Sequence, residues 1–311
     1  QVLRTLEDLE KGVPSVLIMG TFDGLHKGHR TIISRVVELA KEHGLRSVVL
    51  TFDPHPREIV RKNDSDRLYL LTTIEERLDI IEQLGIDVCL VLPFTREISL
   101  LSAEEFFDSI VAGQVGASHV VVGEDHAFGK GRQGTATELV RLADQKGISA
   151  YIIEKLDMGG QKISSSAIRR ELHRGDVQTA WLQLGREFIM HGIVVKGDNL
   201  GHKLGFPTAN LKLESAKKLI PASGVYAVRV EHDGKEYNGM MNIGKKPTVS
   251  QTTKLWLEVH IFEFAKTIYG EYLTVRFVER IRDERKFRTR DELVTQLKKD
   301  QTTARNPLRV T

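Results

Sequence analysis

The stretch Gly20-Thr21-Phe22-Asp23-Gly24-Leu25-His26-Lys27-Gly28-His29 decides how this 311-residue chain is read. Ahead of it stands Val16-Leu17-Ile18-Met19, a short apolar run with the character of a buried parallel strand. Behind it Ile32, Ile33, Val36, Val37 and Ala40 recur at spacings of three and four, which predicts a helix with one apolar face. Strand, glycine-rich turn and helix start together aim backbone N–H groups and the positive end of a helix dipole at one point, a seat for phosphate. His26 and His29 stand three apart, so a helix beginning near Lys27 puts both on the same face of its first turn. There two imidazoles can donate hydrogen bonds to a phosphate that gains charge during reaction. Gly28 between them keeps side-chain bulk away from a nucleotide. Taken alone, His26 reads as a helix cap or a surface residue; strand, glycines and both histidines together favour a site.

Working outward, the first half alternates strictly between strands and helices. Ser47 to Phe52 reads as a second strand, ending in Asp53-Pro54-His55-Pro56, where two prolines predict an extended path. Thr73-x-x-Glu76 is a capping box for a helix to about Leu84, and Val88 to Leu92 is a third strand. Ser102-x-x-Glu105 caps another helix with Phe106, Ile110 and Val111 on its buried side. His119 to Gly123 is a fourth strand, followed by Glu124-Asp125-His126-Ala127-Phe128-Gly129; a helix from about Thr137 to Lys146 and a strand near Ala150 to Ile153 follow. Such alternation predicts an α/β doubly wound parallel sheet with ligands at the carboxyl ends of the strands. Ile163-Ser164-Ser165-Ser166-Ala167-Ile168-Arg169 comes next: one hydroxyl suffices for a helix cap, and the others, with Arg169 one turn on, can grip phosphates. Asp176 to Leu184, carrying Trp181, reads as the closing helix of a first domain spanning residues 1–184.

Past Gly185 the rhythm changes. Short strands separated by glycines are expected at His191 to Lys196, Thr208 to Leu213, Gly224 to Glu231, Glu236 to Ile243, Leu255 to Phe262 and Leu273 to Val278. Six such segments predict a small antiparallel barrel over a second domain, residues 185–311, closed by a helix from about Arg290 to Asp300 with Thr289-x-x-Glu292 as its box. The densest signal here is Gly197-Asp198-Asn199-Leu200-Gly201-His202-Lys203-Leu204-Gly205-Phe206-Pro207-Thr208-Ala209-Asn210. It is not a Walker A loop, yet its glycines let backbone amides approach phosphate oxygens, and Thr208 and Asn210 offer neutral oxygens on one face of a strand start, suited to Mg²⁺. Glu258 stands mid-strand in Leu255-Trp256-Leu257-Glu258-Val259-His260; simple alternation turns it outward.

Composition narrows the class. Hydrophobic content of 41% and charged content of 28% suit a globular protein of two domains, each large enough for its own core. The one cysteine, Cys89, lies in an apolar run and reads as an inert core thiol, which excludes an internal disulfide and fits a reducing cytosol. No run approaches the roughly 20 apolar residues of a membrane-spanning helix, and no signal-peptide pattern opens the sequence, so no membrane and a cytoplasmic location are expected. The net charge of +3 is uneven: residues 276–311 hold eleven Lys/Arg against six Asp/Glu, interspersed as on a solvated helix face.

The HxGH signature resembles the nucleotidyltransferase superfamily, which includes the class I aminoacyl-tRNA synthetases, and GTFDGLHKGH is similar to the flavin adenylyltransferase branch. The serine run resembles the ISSSxIR motif of the same superfamily. Gly205-Phe206-Pro207-Thr208-Ala209-Asn210 resembles the PTAN motif of riboflavin kinases, continued in order by Pro221-x-x-Gly224-Val225-Tyr226, Asn242-Ile243-Gly244-x-x-Pro247-Thr248 and Tyr269-Gly270. Both halves together resemble the bacterial bifunctional riboflavin kinase/FAD synthetase family over nearly the whole chain.

That resemblance implies a Rossmann-like adenylyltransferase domain, then a six-stranded antiparallel β-barrel with a C-terminal helix. It implies ATP as co-substrate, Mg²⁺, and riboflavin, FMN and FAD as ligands, with no nucleic acid. In the first domain Gly20, Phe22, Asp23, His26, Gly28, His29, Ser164, Ser165, Ser166 and Arg169 would hold ATP, the histidines stabilising the transition state. Asp53, Pro54, His55, Asp125 and Phe128 would meet the flavin. Family members usually carry an aromatic and a basic or polar residue where His126 and Ala127 stand, a departure that bears on flavin stacking rather than on ATP. In the second domain Gly197, Gly201, Lys203, Gly205, Pro207, Thr208 and Asn210 would bind ATP, Thr208 and Asn210 the metal, and Glu258 would be the base. Two other readings stay open at this point: an enzyme with one activity and a degenerate partner domain, and a nucleic-acid binder built from an HxGH domain and an OB-like barrel. Against the latter, aromatics make up only 6% of the chain, and the barrel strands lack basic–aromatic interleaving.

Overall fold

Val16–Met19 does form a buried strand, and the first half is assembled around it. The computed structural model describes residues 1–60, 68–154, 156–158, 161–197, 200–247 and 253–309. Its contacts divide the chain into two units, Gln1–Ser165 and Ser166–Thr311.

In the first unit the strands run β1 (Val2–Leu3), β2 (Ser15–Met19), β3 (Arg46–Phe52), β4 (Val88–Leu92) and β5 (Ala117–Gly123), then a short hairpin of β6 (Ala127–Phe128) with β7 (Gly134–Thr135), and β8 (Ser149–Ile153). A second small hairpin joins β9 (Asp157–Met158) to β10 (Gln161–Lys162). The main sheet has the order β1-β4-β3-β2-β5-β8, every pairing parallel. The order reverses at β2, so the crevice outside the carboxyl ends of β2 and β5 is the ligand position of a doubly wound sheet. The edge strand β1 is too short to read in the sequence.

The helices of this unit are α1 (Lys27–His43), α2 (Pro56–Val60), α3 (Ile74–Gln83), α4 (Arg96–Leu100), α5 (Ala103–Phe106), continued by a π-helix (Phe107–Gln114), and α6 (Ala136–Gln145). Both expected capping boxes are present: Thr73 with Glu76 and Ser102 with Glu105 exchange hydrogen bonds reciprocally. The second proline of Asp53-Pro54-His55-Pro56 does not extend the chain. Pro56 opens α2, the first helical position, where its fixed φ and missing N–H cost nothing. Alternation along the strands feeds two core layers: Leu17, Met19, Val48 and Leu50 pack into one, and Val16, Ile18, Val49 and Val121 into the other. Each such side chain contributes about 1.5–3 kcal/mol by leaving water.

The second unit takes up the chain within α7 (Ser165–Arg174), continues through α8 (Val177–Leu184), and then forms β11 (Phe188–Val195), α9 (Leu200–Lys203), β12 (Ala209–Leu213), β13 (Gly224–His232), β14 (Lys235–Pro247), β15 (Thr253–Ile261) and β16 (Tyr272–Arg282), ending in α10 (Arg290–Arg305). Asp176 caps α8 and Gly185 closes it in the left-handed conformation. The six strands close into a barrel in the order β11-β12-β15-β14-β13-β16. Closure leaves no exposed edge. Tyr226 and Phe277 meet edge to face at 5.3 Å, and the Tyr226 hydroxyl donates to Ala222 O. α10 seats Ala304 on Phe206, Met240 and Phe262, and its Asp300 accepts a guanidinium fork from Arg282 at 2.9 and 2.7 Å. At its start Glu292 N donates to Thr289 Oγ1, but the Glu292 carboxylate accepts from Arg288 N, so the expected box is shifted by one residue.

Candidate active sites

The turn after β2 is held from below. Asp23 is buried, and its carboxylate accepts from Leu71 N, Thr72 N and Thr72 Oγ1, while Thr72 Oγ1 accepts from Gly24 N. Asp23 therefore ties the turn to the segment leading into α3. Phe22 and Leu25 adopt positive φ of 48° and 38°, costly for residues with a side chain, and both are pinned by burial. Gly20 is required because a methyl group there would lie 3.0–3.3 Å from the Phe22 ring. Arg77, on α3, is 0% exposed and donates through Nη1 to Thr21 O, Thr51 Oγ1 and Phe52 O, gathering the ends of β2 and β3 around one cation.

The helix begins at Lys27 as expected, with His26 as its N-cap. His26 Nδ1 accepts from His29 N at 3.3 Å, so the proton of the neutral ring sits on Nε2. The two rings stack 3.7 Å apart at 17°, with the edge of Phe22 5.4 Å from His29. Burial, and to a lesser extent the neighbouring His26, holds His29 well below the ordinary value of 6.5, and its Nδ1 is buried without a hydrogen-bond partner among the described residues. A methyl group on Gly28 would meet the His26 ring at 3.3–3.4 Å, so this glycine preserves the stacked pair.

Asp53 and Glu124 follow β3 and β5 directly, at the same end of the sheet as the histidine turn. The Asp53–Pro54 bond is cis, and Asp53 N donates to Leu92 O. His55 is buried, its Nδ1 accepting from Arg57 N at the start of α2. Asp125 is exposed. Phe128 is buried against Phe106, with the His126 ring stacked on it at 5.7 Å and 26°. Burial pushes His126 down to about 4. Of the serine run, Ser165 Oγ donates to Asp23 O at 2.8 Å, fastening the run to the histidine turn across 142 residues. Ser164 is half-buried just ahead of α7; Ser166 is exposed on it and Arg169 half-buried.

In the second unit, Gly197 and Gly201 lie directly over the two expected metal-binding side chains. A methyl group at Gly197 would come within 2.0 Å of Asn210 Nδ2, and one at Gly201 within 3.1 Å of Thr208 Oγ1. Asp198 and Asn199 between them, and Thr248 of the later motif, fall outside the described residues. Gly205 takes a φ of 78°, Lys203 is exposed on α9, and Pro207 O accepts from His260 Nδ1 at 2.7 Å. Asn210 is buried, and its Oδ1 has no hydrogen-bond partner among the described residues.

Asn210 pairs with Glu258, and Glu258 pairs with Asn242, forming one polar row across β12, β15 and β14. Glu258 alternates with the buried Leu257 and Val259, so its side chain lies on the other face, as simple alternation predicts. Cross-strand partners share a face, which puts Asn210 and Asn242 beside it. Trp256 Nε1 donates to Glu258 Oε1 at 2.8 Å. Arg77, Thr72, Trp256 and the pairing of Asn242 with Glu258 were not singled out from sequence as parts of these sites; each acquires its place through contacts that sequence spacing does not encode.

Comparison with known proteins assigns both halves. A family model described as FAD synthetase matches residues 9–167, and one described as riboflavin kinase matches residues 184–308. The curated bifunctional riboflavin kinase/FMN adenylyltransferase of Bacillus subtilis is 39% identical over 94% of this chain and 92% of its own length. The protein of the same description from Haemophilus influenzae is 35% identical over 98% of both. A solved structure described as a macrolide-efflux protein from Streptococcus pneumoniae superposes with a TM-score of 0.90 at 33% identity, covering 98% of each chain. Among the described residues no helix is long and apolar enough to cross a membrane.

Proposed function

The chain belongs to the bifunctional riboflavin kinase/FMN adenylyltransferase family, and on that premise we propose how its residues divide the work. It is a transferase with two activities: ATP-dependent phosphorylation of riboflavin to FMN, and adenylylation of FMN to FAD with release of pyrophosphate. The first activity resides in residues 185–311 and the second in residues 1–184.

In the kinase half, Glu258 takes the proton of the ribityl hydroxyl as that oxygen attacks the γ-phosphorus of ATP; the γ-phosphoryl group passes to it and ADP leaves. The observation that carries this reading is the row of Asn210 and Glu258 on neighbouring strands, a carboxylate beside an amide oxygen that has no partner among the described residues. A buried Asn210 Oδ1 with no partner among the described residues, and Thr208 two residues before it, are oxygen donors that fit Mg²⁺, and no cluster of histidines, cysteines and carboxylates competes for the ion among the described residues. When bound, Mg²⁺ supplies charge neutralisation on nucleotide phosphates. Gly197, Gly201, Lys203, Gly205 and Pro207 shape the ATP loop.

In the adenylyltransferase half no side chain need act as a nucleophile, because the FMN phosphate itself attacks the α-phosphorus of ATP and pyrophosphate departs. Catalysis is positioning and charge stabilisation. His26, its Nε2 carrying the proton, donates towards the reacting phosphate, with His29 stacked behind it. Gly20, Phe22, Asp23 and Gly28 set the turn. Ser164, Ser166 and Arg169 hold the outer phosphates, Ser165 anchors the run through its bond to Asp23 O, and Asp53, Pro54, His55, Asp125 and Phe128 frame the flavin. The ligands are small molecules, and the lone buried Cys89 suits the cytoplasm.

The test is incubation with riboflavin, ATP and Mg²⁺ followed by chromatographic separation over time. FMN should appear first and FAD at its expense; accumulation of FMN alone, even when FMN is supplied, would leave a riboflavin kinase with an idle partner.

A further inference from the structure

We propose that Trp256 is a positioning residue for the riboflavin kinase reaction, holding the carboxylate of Glu258 in the orientation from which it takes the substrate proton. The inference rests on Glu258 being the base.

Geometry carries it. Trp256 and Glu258 are two apart on β15 and therefore share a face. The indole N–H reaches Glu258 Oε1 at 2.8 Å, a normal length for a hydrogen bond. Indole nitrogen only donates, and it does not titrate in the working range, so the contact is available at every pH. A carboxylate on two rotatable carbons otherwise sweeps a wide arc. A donor on one oxygen fixes its rotation and leaves Oε2 as the atom that meets the hydroxyl.

The neighbouring strand makes room for this. Gly244 lies directly opposite Trp256, and Asn242 directly opposite Glu258. A methyl group at Gly244 would meet Glu284 Oε1 at 2.7 Å and Asn242 Nδ2 at 3.3 Å, so the glycine keeps room for the polar side chains beside Glu258. Trp256 is half-buried, so part of its ring is withdrawn from solvent while its N–H meets Glu258. A tryptophan also loses little rotamer freedom when ordered, having two side-chain torsions.

The experiment uses the full chain and measures riboflavin phosphorylation and FMN adenylylation separately. Trp256→Phe should lower kinase kcat about tenfold or more, the size expected for losing one hydrogen bond to a charged group. KM for riboflavin and ATP should stay within about twofold, as expected for an interaction that matters mainly in the transition state, and FMN adenylylation should be unchanged. Trp256→Phe/Glu258→Ala should be no slower than Glu258→Ala, because the indole acts only through the carboxylate. A second readout leaves the indole in place. The chain has two tryptophans, so the exposed Trp181 can be changed to phenylalanine to isolate Trp256. Adding Glu258→Ala to that background should then shift the Trp256 emission.

Wild-type kcat in Trp256→Phe, losses that multiply in the double variant, or an emission indifferent to Glu258→Ala would each overturn the proposal. If Glu258→Ala itself keeps wild-type kinase activity, the reading of Glu258 as base fails instead, and the two failures are told apart by that variant alone.

Discussion

Asn210 and Glu258 are paired residues of adjacent antiparallel strands, so a buried amide oxygen with no partner among the described residues and a half-buried carboxylate stand side by side on one face of the barrel wall. Gly197 has no room for a side chain. A methyl group at Gly197 would come within 2.0 Å of Asn210 Nδ2. Gly197→Ala should therefore displace Asn210 and lower riboflavin phosphorylation about a hundredfold, the scale of effect that a misplacement of about 1 Å produces. FMN adenylylation by the same variant should match the wild type.

Arg77 makes a prediction about stability and function together. Its guanidinium is buried and serves Thr21 O, Thr51 Oγ1 and Phe52 O, the ends of the two strands behind the histidine turn. Burial lowers its pKa, opposed by the charges of Asp23 and Asp53. Arg77→Met leaves those acceptors unsatisfied and should cost about 1–3 kcal/mol, measured by urea unfolding. Arg77→Lys keeps the charge and loses the fork. It should fold, lose FAD synthesis and retain FMN synthesis.

The buried imidazoles fix a pH dependence. His126 is pushed down to about 4 and His29 lies well below 6.5, both first of all by burial. In the unfolded chain these rings take up a proton near the ordinary value of about 6.5. Between the two values the unfolded state binds more protons, so stability is full above about pH 6.5 and is lost as pH falls towards 4. His126→Phe, which keeps a ring against Phe128, should flatten part of that loss in thermal unfolding followed from pH 7 to pH 4.5. A variant as acid-sensitive as the wild type would contradict the assignment.

Cys89 is expected to be inert. It is buried on β4, and burial pushes its thiol up to about 11. A thiol reagent at pH 8 should label the native chain far more slowly than the urea-unfolded chain.

What the sequence made legible follows from what is local. The β/α rhythm, the Thr73 and Ser102 boxes and all six barrel strands are written in spacings of two to four residues, and they stand within a few residues of their expected bounds. The histidine pair was readable because the helix start fixes both residues. Partnerships over long separations were not readable. Val2–Leu3 becomes a strand only through β4, and Arg77 looks like any surface arginine of an amphipathic helix until the fold closes over it. The family resemblance makes Asp23 a residue of the ATP turn, and only the fold shows that its carboxylate accepts from Leu71 N and Thr72 N. Pro56 reads as a breaker in isolation and is a helix start in place, since the same ring serves both.

The central claim is that two separate sites act on the flavin in turn. The most direct measurement assays the two steps separately in His29→Ala and Glu258→Ala. The account predicts that His29→Ala makes FMN from riboflavin but no FAD from FMN, and that Glu258→Ala makes FAD from supplied FMN but no FMN from riboflavin. Loss of both steps in either folded variant, or of neither, would contradict it.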